Sequence, residues 1–310
     1  MSFGRYRREL SVLLAYVLIL LVLAWRTPGF FGPTPLRDLV VKNAPVLVAT
    51  VGMTLVILCR HIDLSVGSQV GACGIAAGLL ARAGVPMPLV GLGTILTGGL
   101  LGAVNGLLVA GLGLPSIVVT LATLVILREG VRFSREGAFV DGLPATFQWL
   151  GLGQTSGQWC VVAAAAVVFV AAGWGMRYLA AGRAIYATGS DPEAARLAGI
   201  RPRLVTFWAF AAMGALAGLA ALLMVVQLPS VDPRTGSGLE MQVIASAVVG
   251  GVAIAGGRGT LAGTLIGVAL LGSISAALVF LGTRPEWEKA IQGLIILLAV
   301  ASDGLARGRR

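Results

Sequence analysis

Ten apolar runs, separated by short polar segments, constrain this 310-residue chain more than any other feature of its sequence. A helix needs about 20 mainly apolar residues to cross the roughly 30 Å hydrocarbon core of a bilayer, where no water can satisfy unpaired backbone groups. Several runs are shorter than that, which indicates broken or re-entrant helices among them. The runs are 10–25, 44–58, 66–80, 88–112, 115–127, 159–176, 204–226, 242–255, 261–281 and 290–301.

The composition agrees with a membrane location. Hydrophobic residues make up 57% of the chain and charged residues only 12%, whereas soluble domains carry about 25% charged residues. A transmembrane β-barrel would require alternating apolar and polar residues instead of continuous runs. We therefore predict an all-α fold, a polytopic transmembrane bundle of about eight to ten helices that forms one domain over residues 1–310.

The basic residues predict how this bundle is oriented. Arg5, Arg7 and Arg8 precede the first run, and no small-residue cleavage site follows it, which favours a retained first helix over a signal peptide. Short cytoplasmic loops of membrane proteins carry an excess of Lys and Arg. The larger share of the 23 basic residues falls on the side of both termini and loop 177–203. We expect these to be cytoplasmic, and loops 128–158 and 227–241 to be periplasmic.

One polar interruption near the middle has the signals of a short helix. It reads GSDPEAARLAGIRPR over residues 189–203, where Ser190 and Glu193 fit a capping box, Pro192 suits a first turn and Gly199 can end the helix. These signals predict about two turns of helix from Asp191 to Ala198, either as a knob for another protein or as an ordinary capped helix in a solvated loop. The candidate contacts are Ala194, Ala195, Leu197 and Ala198, with Glu193 and Arg196 as polar partners.

Glycines at four-residue spacing predict close helix packing. Small residues at that spacing let helix backbones approach each other in lipid. The two longer series are Gly98, Gly102 and Gly106, and Gly259, Gly263 and Gly267, and Gly214 and Gly218 form a shorter pair.

A second polar interruption reads CRHIDLSVGSQVG over residues 59–71. Ionisable groups at membrane depth usually face a cavity or one another, so Asp63 could line a substrate path or pair with Arg60. The alternative is a solvated turn at the cytoplasmic surface. The candidate path residues are Asp63, Ser65, Ser68 and Gln69.

The chain lacks the residues that several functions require. A nucleotide-hydrolysing P-loop needs Gly-Lys-Ser/Thr, and neither Lys42 nor Lys289 completes it. The single histidine and the 3 cysteines show no metal-ligand or catalytic spacing. We therefore expect no enzyme activity, metal or cofactor on this chain; if transport uses ATP, the ATPase must be another polypeptide. Nucleic-acid binding is also not expected, because the arginines cluster at the ends of runs and not along one face.

Three stretches together resemble the permease subunits of bacterial ABC importers of the ribose, xylose, rhamnose and autoinducer-2 group. They are IDLSVGS at 62–68, GRAIYATGSDPEAARLAGI at 182–200 and TGSGLEMQVIASAVVGGVAIAGGRGTLAGTLIGVALLG at 235–272. The resemblance implies an inner-membrane permease for a monosaccharide or small polyol, in which Ser190 to Gly199 form the helix that couples to the ATPase. It also implies an ATP-binding subunit, a second permease, identical or sister, and a periplasmic sugar-binding protein as partners.

One departure from the family pattern bears on the substrate. Many relatives have glycines where this chain has Arg60 and His61, and this basic pair is more similar to the rhamnose and autoinducer-2 branches than to the ribose branch. The competing function is a secondary transporter of a small polar solute. The scarcity of acids at membrane depth, where Asp63 stands alone, disfavours it.

Overall fold

The computed structural model describes residues 7–282 and six single positions between 287 and 297. The tenth apolar run and the C-terminus therefore lie outside its continuous part. Within residues 7–282 the chain is helical with no strand, as predicted. Its helices are α1 (Arg7–Arg26), α2 (Pro33–Leu58), α3 (Val66–Arg82), α4 (Met87–Gly106), α5 (Ser116–Arg135), α6 (Gln154–Tyr178), α7 (Ala180–Ser190), α8 (Pro192–Leu197), α9 (Pro202–Val225), α10 (Leu239–Val249) and α11 (Leu261–Phe280).

Five of the described helices are long and apolar enough to cross a membrane: α2, α4 with its π-helical extension to Gly111, α6, α9 and α11. The other apolar runs in the described part also form helices, which confirms the all-α bundle. Two helices extend beyond their runs. α5 continues to Arg135 and α10 begins at Leu239, so each takes residues from a predicted loop. Polar helix formers such as Arg and Glu prolong a helix once it has started.

The centre of the bundle is α2, which packs against α6, α9, α10 and α11. Its buried residues are mostly small or β-branched, which lets several neighbours approach at once. Pro45 lies inside this helix and is buried. Proline removes a backbone donor, and membrane helices tolerate this where neighbouring helices or local adjustments satisfy the freed carbonyl.

The closest helix pair is α4 with α9, and the predicted glycine series explains the contact. An added Cβ on Gly98 or Gly102 would collide with the backbone of Gly214, Gly218 or Phe210. A Cβ on Gly106 would lie 2.9 Å from the carbonyl oxygen of Phe207. The two helices therefore touch backbone to backbone, as small residues allow in lipid.

The second glycine series is only partly a helix contact. Gly263 and Gly267 lie on α11 and face Gly250 and Ser246 of the neighbouring segment. Gly259 lies before α11, with a φ of +146°. Its assignment to helix packing was wrong, because the helix begins two residues later, after the Thr260 side chain caps it.

Two of the apolar helices, α3 and α10, are shorter than about 20 residues and follow non-helical backbone. α3 has 17 residues after the connection 59–65, and α10 has 11 residues after 226–238. Their N-terminal ends meet, because a Cβ on Gly67 would collide with Gly236 and the Glu240 carboxylate. Irregular backbone of this kind is tolerated where protein buries it.

The central segment 177–203 contains more helix than its sequence predicted. α7 fills most of the part that was expected to be loop, and α8 follows it with only Asp191 between them. Ser190 is therefore the last residue of α7 and not the cap of α8. The two helices form a bent pair whose neighbours are the ends of α2 and α9.

Candidate functional site

Three distant parts of the chain meet at one end of the bundle. The backbone N–H of Gly257 donates to the Leu58 carbonyl at 3.0 Å, and the Tyr186 hydroxyl donates to the Gly259 carbonyl at 2.9 Å. A Cβ on Gly189 would collide with the Leu58 carbonyl oxygen. The end of α2, the end of α7 and the connection between α10 and α11 therefore form one continuous platform, which carries α8.

Arg60 links two parts of this platform through its side chain and has an unusual backbone conformation. Its φ is +71°, in the left-handed region that glycine adopts freely. Its Nε donates to the Gly189 carbonyl at 2.7 Å and an Nη donates to the Ser190 carbonyl at 2.5 Å. Here an arginine takes the strained position, and its side chain holds the end of α7.

The helix α8 has well-defined ends. The Asp191 side chain accepts hydrogen bonds from the N–H groups of Glu193 at 2.9 Å and Ala194 at 3.1 Å. The cap of α8 is therefore Asp191, and the prediction of Ser190 as the cap was wrong. Gly199, with a φ of +81°, ends the helix as predicted. The Gly199 N–H donates to the Arg196 carbonyl, and the Ile200 N–H donates to the Ala195 carbonyl. This pair of hydrogen bonds is the Schellman motif.

The contact face of α8 differs from the one that its sequence suggested. Ala195 is only 4% exposed and packs inward, so it is not available to another protein. Leu197 is 81% exposed, and Ala194 and Ala198 are also on the surface. Glu193 and Arg196 form an exposed ion pair at 2.6 Å, which stabilises the helix only modestly. The outward feature is thus an apolar knob centred on Leu197.

The predicted path residues form a closed hydrogen-bonding network. Asp63 is 0% exposed, and one carboxylate oxygen accepts from the Ser65 N–H at 2.9 Å and the Ser65 hydroxyl at 2.5 Å. The other oxygen accepts from the Gln69 amide at 3.0 Å. Asp63 neither pairs with Arg60 nor lies in a solvated turn.

Two further side chains complete the network from neighbouring helices. Asn105 on α4 donates to the Ser65 hydroxyl at 2.9 Å, and its carbonyl accepts from Thr123 on α5 at 2.7 Å. Neither residue could be predicted from the sequence, because each is one of several isolated polar side chains in an apolar run. The network therefore joins α3, α4 and α5. Its hydrogen bonds stabilise the start of α3.

A second polar cluster lies beside this network. Arg128 on α5 and Glu240 on α10 form an ion pair at 3.1 Å, and Glu240 is almost buried. Both residues belong to segments that the sequence predicted as periplasmic loops. Among the predicted path residues only Ser68 lines the adjoining cavity, which has a volume of about 210 Å³. Arg128, Arg132 and Arg234 also line it.

The predicted periplasmic loops meet at the opposite end of the bundle. Val140 and Val231 pair as a single β-bridge, and the Trp149 N–H donates to the Val226 carbonyl at 2.7 Å. Segments 128–158 and 227–241 therefore form one surface. That this surface faces the periplasm stays a prediction.

Comparisons with known proteins match nearly the whole chain. A family model described as "Branched-chain amino acid transport system / permease component" matches residues 36–300. The "Autoinducer 2 import system permease protein LsrC" of Escherichia coli (strain K12 / DH10B) is 36% identical over 316 residues, which cover 99% of this chain and 90% of the relative. Proteins of the same description are 37% identical in Escherichia coli O157:H7, with the same shares covered, and 34% identical in Salmonella typhi, covering 99% of this chain and 88% of the relative. No solved structure matches.

Proposed function

Because this chain belongs to the family of branched-chain amino acid transport system / permease components, we propose that it carries autoinducer 2, or a closely similar small sugar-like solute, into the cell as the membrane subunit of an ATP-driven importer. The observation that carries this proposal is the similarity to autoinducer 2 import permeases over 99% of the chain. As a multi-pass permease it provides a pathway and not a reaction centre. The membrane is then the bacterial inner membrane.

The energy for transport comes from other subunits in this proposal. ATP and Mg bind an ATP-binding subunit on the cytoplasmic side, a second permease, identical or sister, completes the pathway, and a periplasmic binding protein delivers the solute. The platform with α8 supports an ATPase contact, because it presents a rigidly capped helix with an exposed leucine. An exposed apolar side chain on a rigid element is a suitable anchor for a pocket on a partner.

The function is tested by reconstitution. The liposomes contain the chain, its second permease and its ATP-binding subunit, and the binding protein is added outside. We expect them to accumulate isotope-labelled autoinducer 2 only when ATP is enclosed in the lumen, on the side of the ATP-binding subunit. Unlabelled autoinducer 2 should compete, and ribose should compete less. Uptake by the purified chain alone, driven by a proton or sodium gradient, would instead identify a secondary transporter.

The role of α8 gives a separate prediction. Leu197→Asp places a charge on the exposed knob and leaves the interior of the chain unchanged, so we expect a normal melting temperature but weaker binding of the ATP-binding subunit, by about tenfold or more. The measurements are thermal unfolding of the chain and co-purification of the ATPase. Leu197→Met keeps an apolar side chain and is the matched control. Normal ATPase binding by Leu197→Asp would exclude Leu197 from the contact.

A further inference from the structure

A cavity of about 560 Å³ lies beside α8 at the platform end of the bundle, and the proposed transport function does not use it. Its walls come from the segment after α2, the turn between α4 and α5, the end of α7 and the start of α9. These are parts of the chain that lie far apart in sequence. The cavity is therefore a product of the fold, and its chemistry can be judged from what faces it.

The N-terminal ends of two long helices border this cavity. α5 begins at Ser116 and α9 begins at Pro202, and both residues line it. Neither helix has a side-chain cap, so backbone N–H groups of the first turns lack an intrahelical partner. Free N–H groups and the positive end of the helix dipole both favour an anion.

The charged side chains that line the cavity are all basic. They are Arg60 and Arg203, and no Asp or Glu is among the lining residues; His61 also lines the cavity but is uncharged at pH 7. The Arg203 side chain makes no hydrogen bond or ion pair to any residue within 7–282. Arg60 is held in place by its bonds to Gly189 and Ser190 and adds a fixed positive charge. An uncompensated basic cavity selects for a negative ligand.

One hydroxyl group that lines the cavity is buried without a partner. Thr188 is 2% exposed and its Oγ1 makes no hydrogen bond to any described residue. The Thr206 side chain, 5% exposed, also lines the cavity. A buried hydroxyl without a partner destabilises a protein, because it has lost its hydrogen bonds to water and has gained none in return. A ligand oxygen that accepts from Thr188 would remove this penalty.

We infer that the cavity binds the phosphate group of a small phosphorylated molecule from the cytosol. Helix N-termini, arginine and hydroxyl donors are the groups that bind phosphate oxygens in proteins. The cavity is larger than one phosphate ion, which leaves room for a short polyol on the ester oxygen. A lipid headgroup carries the same phosphate chemistry, so the experiment must distinguish the two sources.

Such a ligand would connect α8 to the rest of the bundle. Pro192, the first residue of α8, lines the same cavity as Ser116 of α5 and Arg203 of α9. A bound phosphate would hold these three elements together and restrict movement of α8. If α8 couples to an ATPase, which rests on the proposed function, the phosphorylated molecule would slow ATP-driven uptake from the cytosolic side.

The test is direct binding to the full-length chain in nanodiscs of phosphatidylcholine alone. We expect saturable binding of one inorganic phosphate or one ribose 5-phosphate per chain by equilibrium dialysis, and none of unphosphorylated ribose. Arg203→Gln should weaken binding by about tenfold, because it removes a charged hydrogen bond. Thr188→Val, which keeps the shape of the side chain, should weaken it by about threefold or more. Arg201→Gln removes a nearby arginine that does not line the cavity and is the matched control.

Two results would overturn the inference. Absence of saturable binding, or equal binding by Arg203→Gln and Arg201→Gln, would exclude a phosphate site in this cavity. Loss of ribose 5-phosphate binding when phosphatidylglycerol is added to the nanodiscs would assign the site to a lipid headgroup. The binding assay needs no transport, so a failure of ATP-driven uptake with intact binding would contradict only the proposed function.

Discussion

Gly214→Ala is expected to lower the stability and the folded yield of the protein sharply. An added Cβ on Gly214 would collide with the Gly98 carbonyl oxygen and would lie 2.7 Å from the Gly102 Cα. Both neighbours are backbone atoms, so no side chain can rotate away, and α4 and α9 would have to separate. Overpacking in a close-packed core costs about 1–3 kcal/mol and more where backbone must move. We expect a loss at the upper end of that range, visible as a low monodisperse yield in detergent and a much reduced melting temperature.

Gly99→Ala is the matched control for this variant. It makes the same substitution on α4, one residue from Gly98, but its Cβ would lie 3.7 Å from the Ala215 Cβ, an ordinary contact. A helix-interior Gly→Ala change removes conformational freedom from the unfolded chain, so Gly99→Ala should be neutral or slightly stabilising. If both variants unfold at the same temperature, the backbone contact between α4 and α9 does not hold the bundle together.

This contact also shows what sequence spacing can predict. The series of Gly98, Gly102 and Gly106 indicated that α4 would contact a helix closely, and the pair Gly214 and Gly218 supplied its partner surface. Spacing alone does not say which glycine lies inside a helix. Gly259 shares the four-residue spacing, but its φ of +146° serves a turn before α11. The positions of helix ends, which depend on caps such as Thr260, decide between the two uses.

The helix α8 was predictable for similar local reasons, and its details were not. Pro192 and Gly199 fix its limits through their own backbone preferences. Ser190 and Asp191 can both cap a helix, and the continuation of α7 through Ser190 decided the choice. The burial of Ala195 depends on the chain around α8, so no pattern within residues 189–203 could reveal it. The exposed Leu197 emerged only from the folded arrangement.

The polar interior was the least predictable part, because its members are contributed by separate helices. Asp63, Ser65 and Gln69 were visible as a polar stretch, and the stretch was compatible with a path, an ion pair or a surface turn. The burial of Asp63 and its bonds exclude the ion pair and the surface turn, and Asn105 and Thr123 close the network from α4 and α5. Each of these two is one of several isolated polar residues in a long apolar run, which carry no signal until the runs are packed.

Asp63→Ala is the second substitution with a large expected effect. The variant leaves the Ser65 N–H, the Ser65 hydroxyl and the Gln69 amide without their acceptor, in a site that is 0% exposed. An unsatisfied buried polar group destabilises by about 1–3 kcal/mol, and several are lost together. We expect a strong drop in melting temperature and in folded yield, with uptake falling in proportion to the amount of folded protein.

Asp63→Asn distinguishes a structural role from a role in the substrate path. The amide oxygen of asparagine can still accept from the Ser65 N–H. Its NH₂ can donate to the Gln69 Oε1, which has no partner in the described structure, once the Gln69 amide turns over and the Ser65 hydroxyl donates to that same oxygen in place of the bond it now accepts from the Gln69 amide. We therefore expect Asp63→Asn to retain most folded protein and most uptake per folded molecule. A well-folded Asp63→Asn chain that transports nothing would show that the negative charge itself serves the path, because the hydrogen bonds would then be present without the activity.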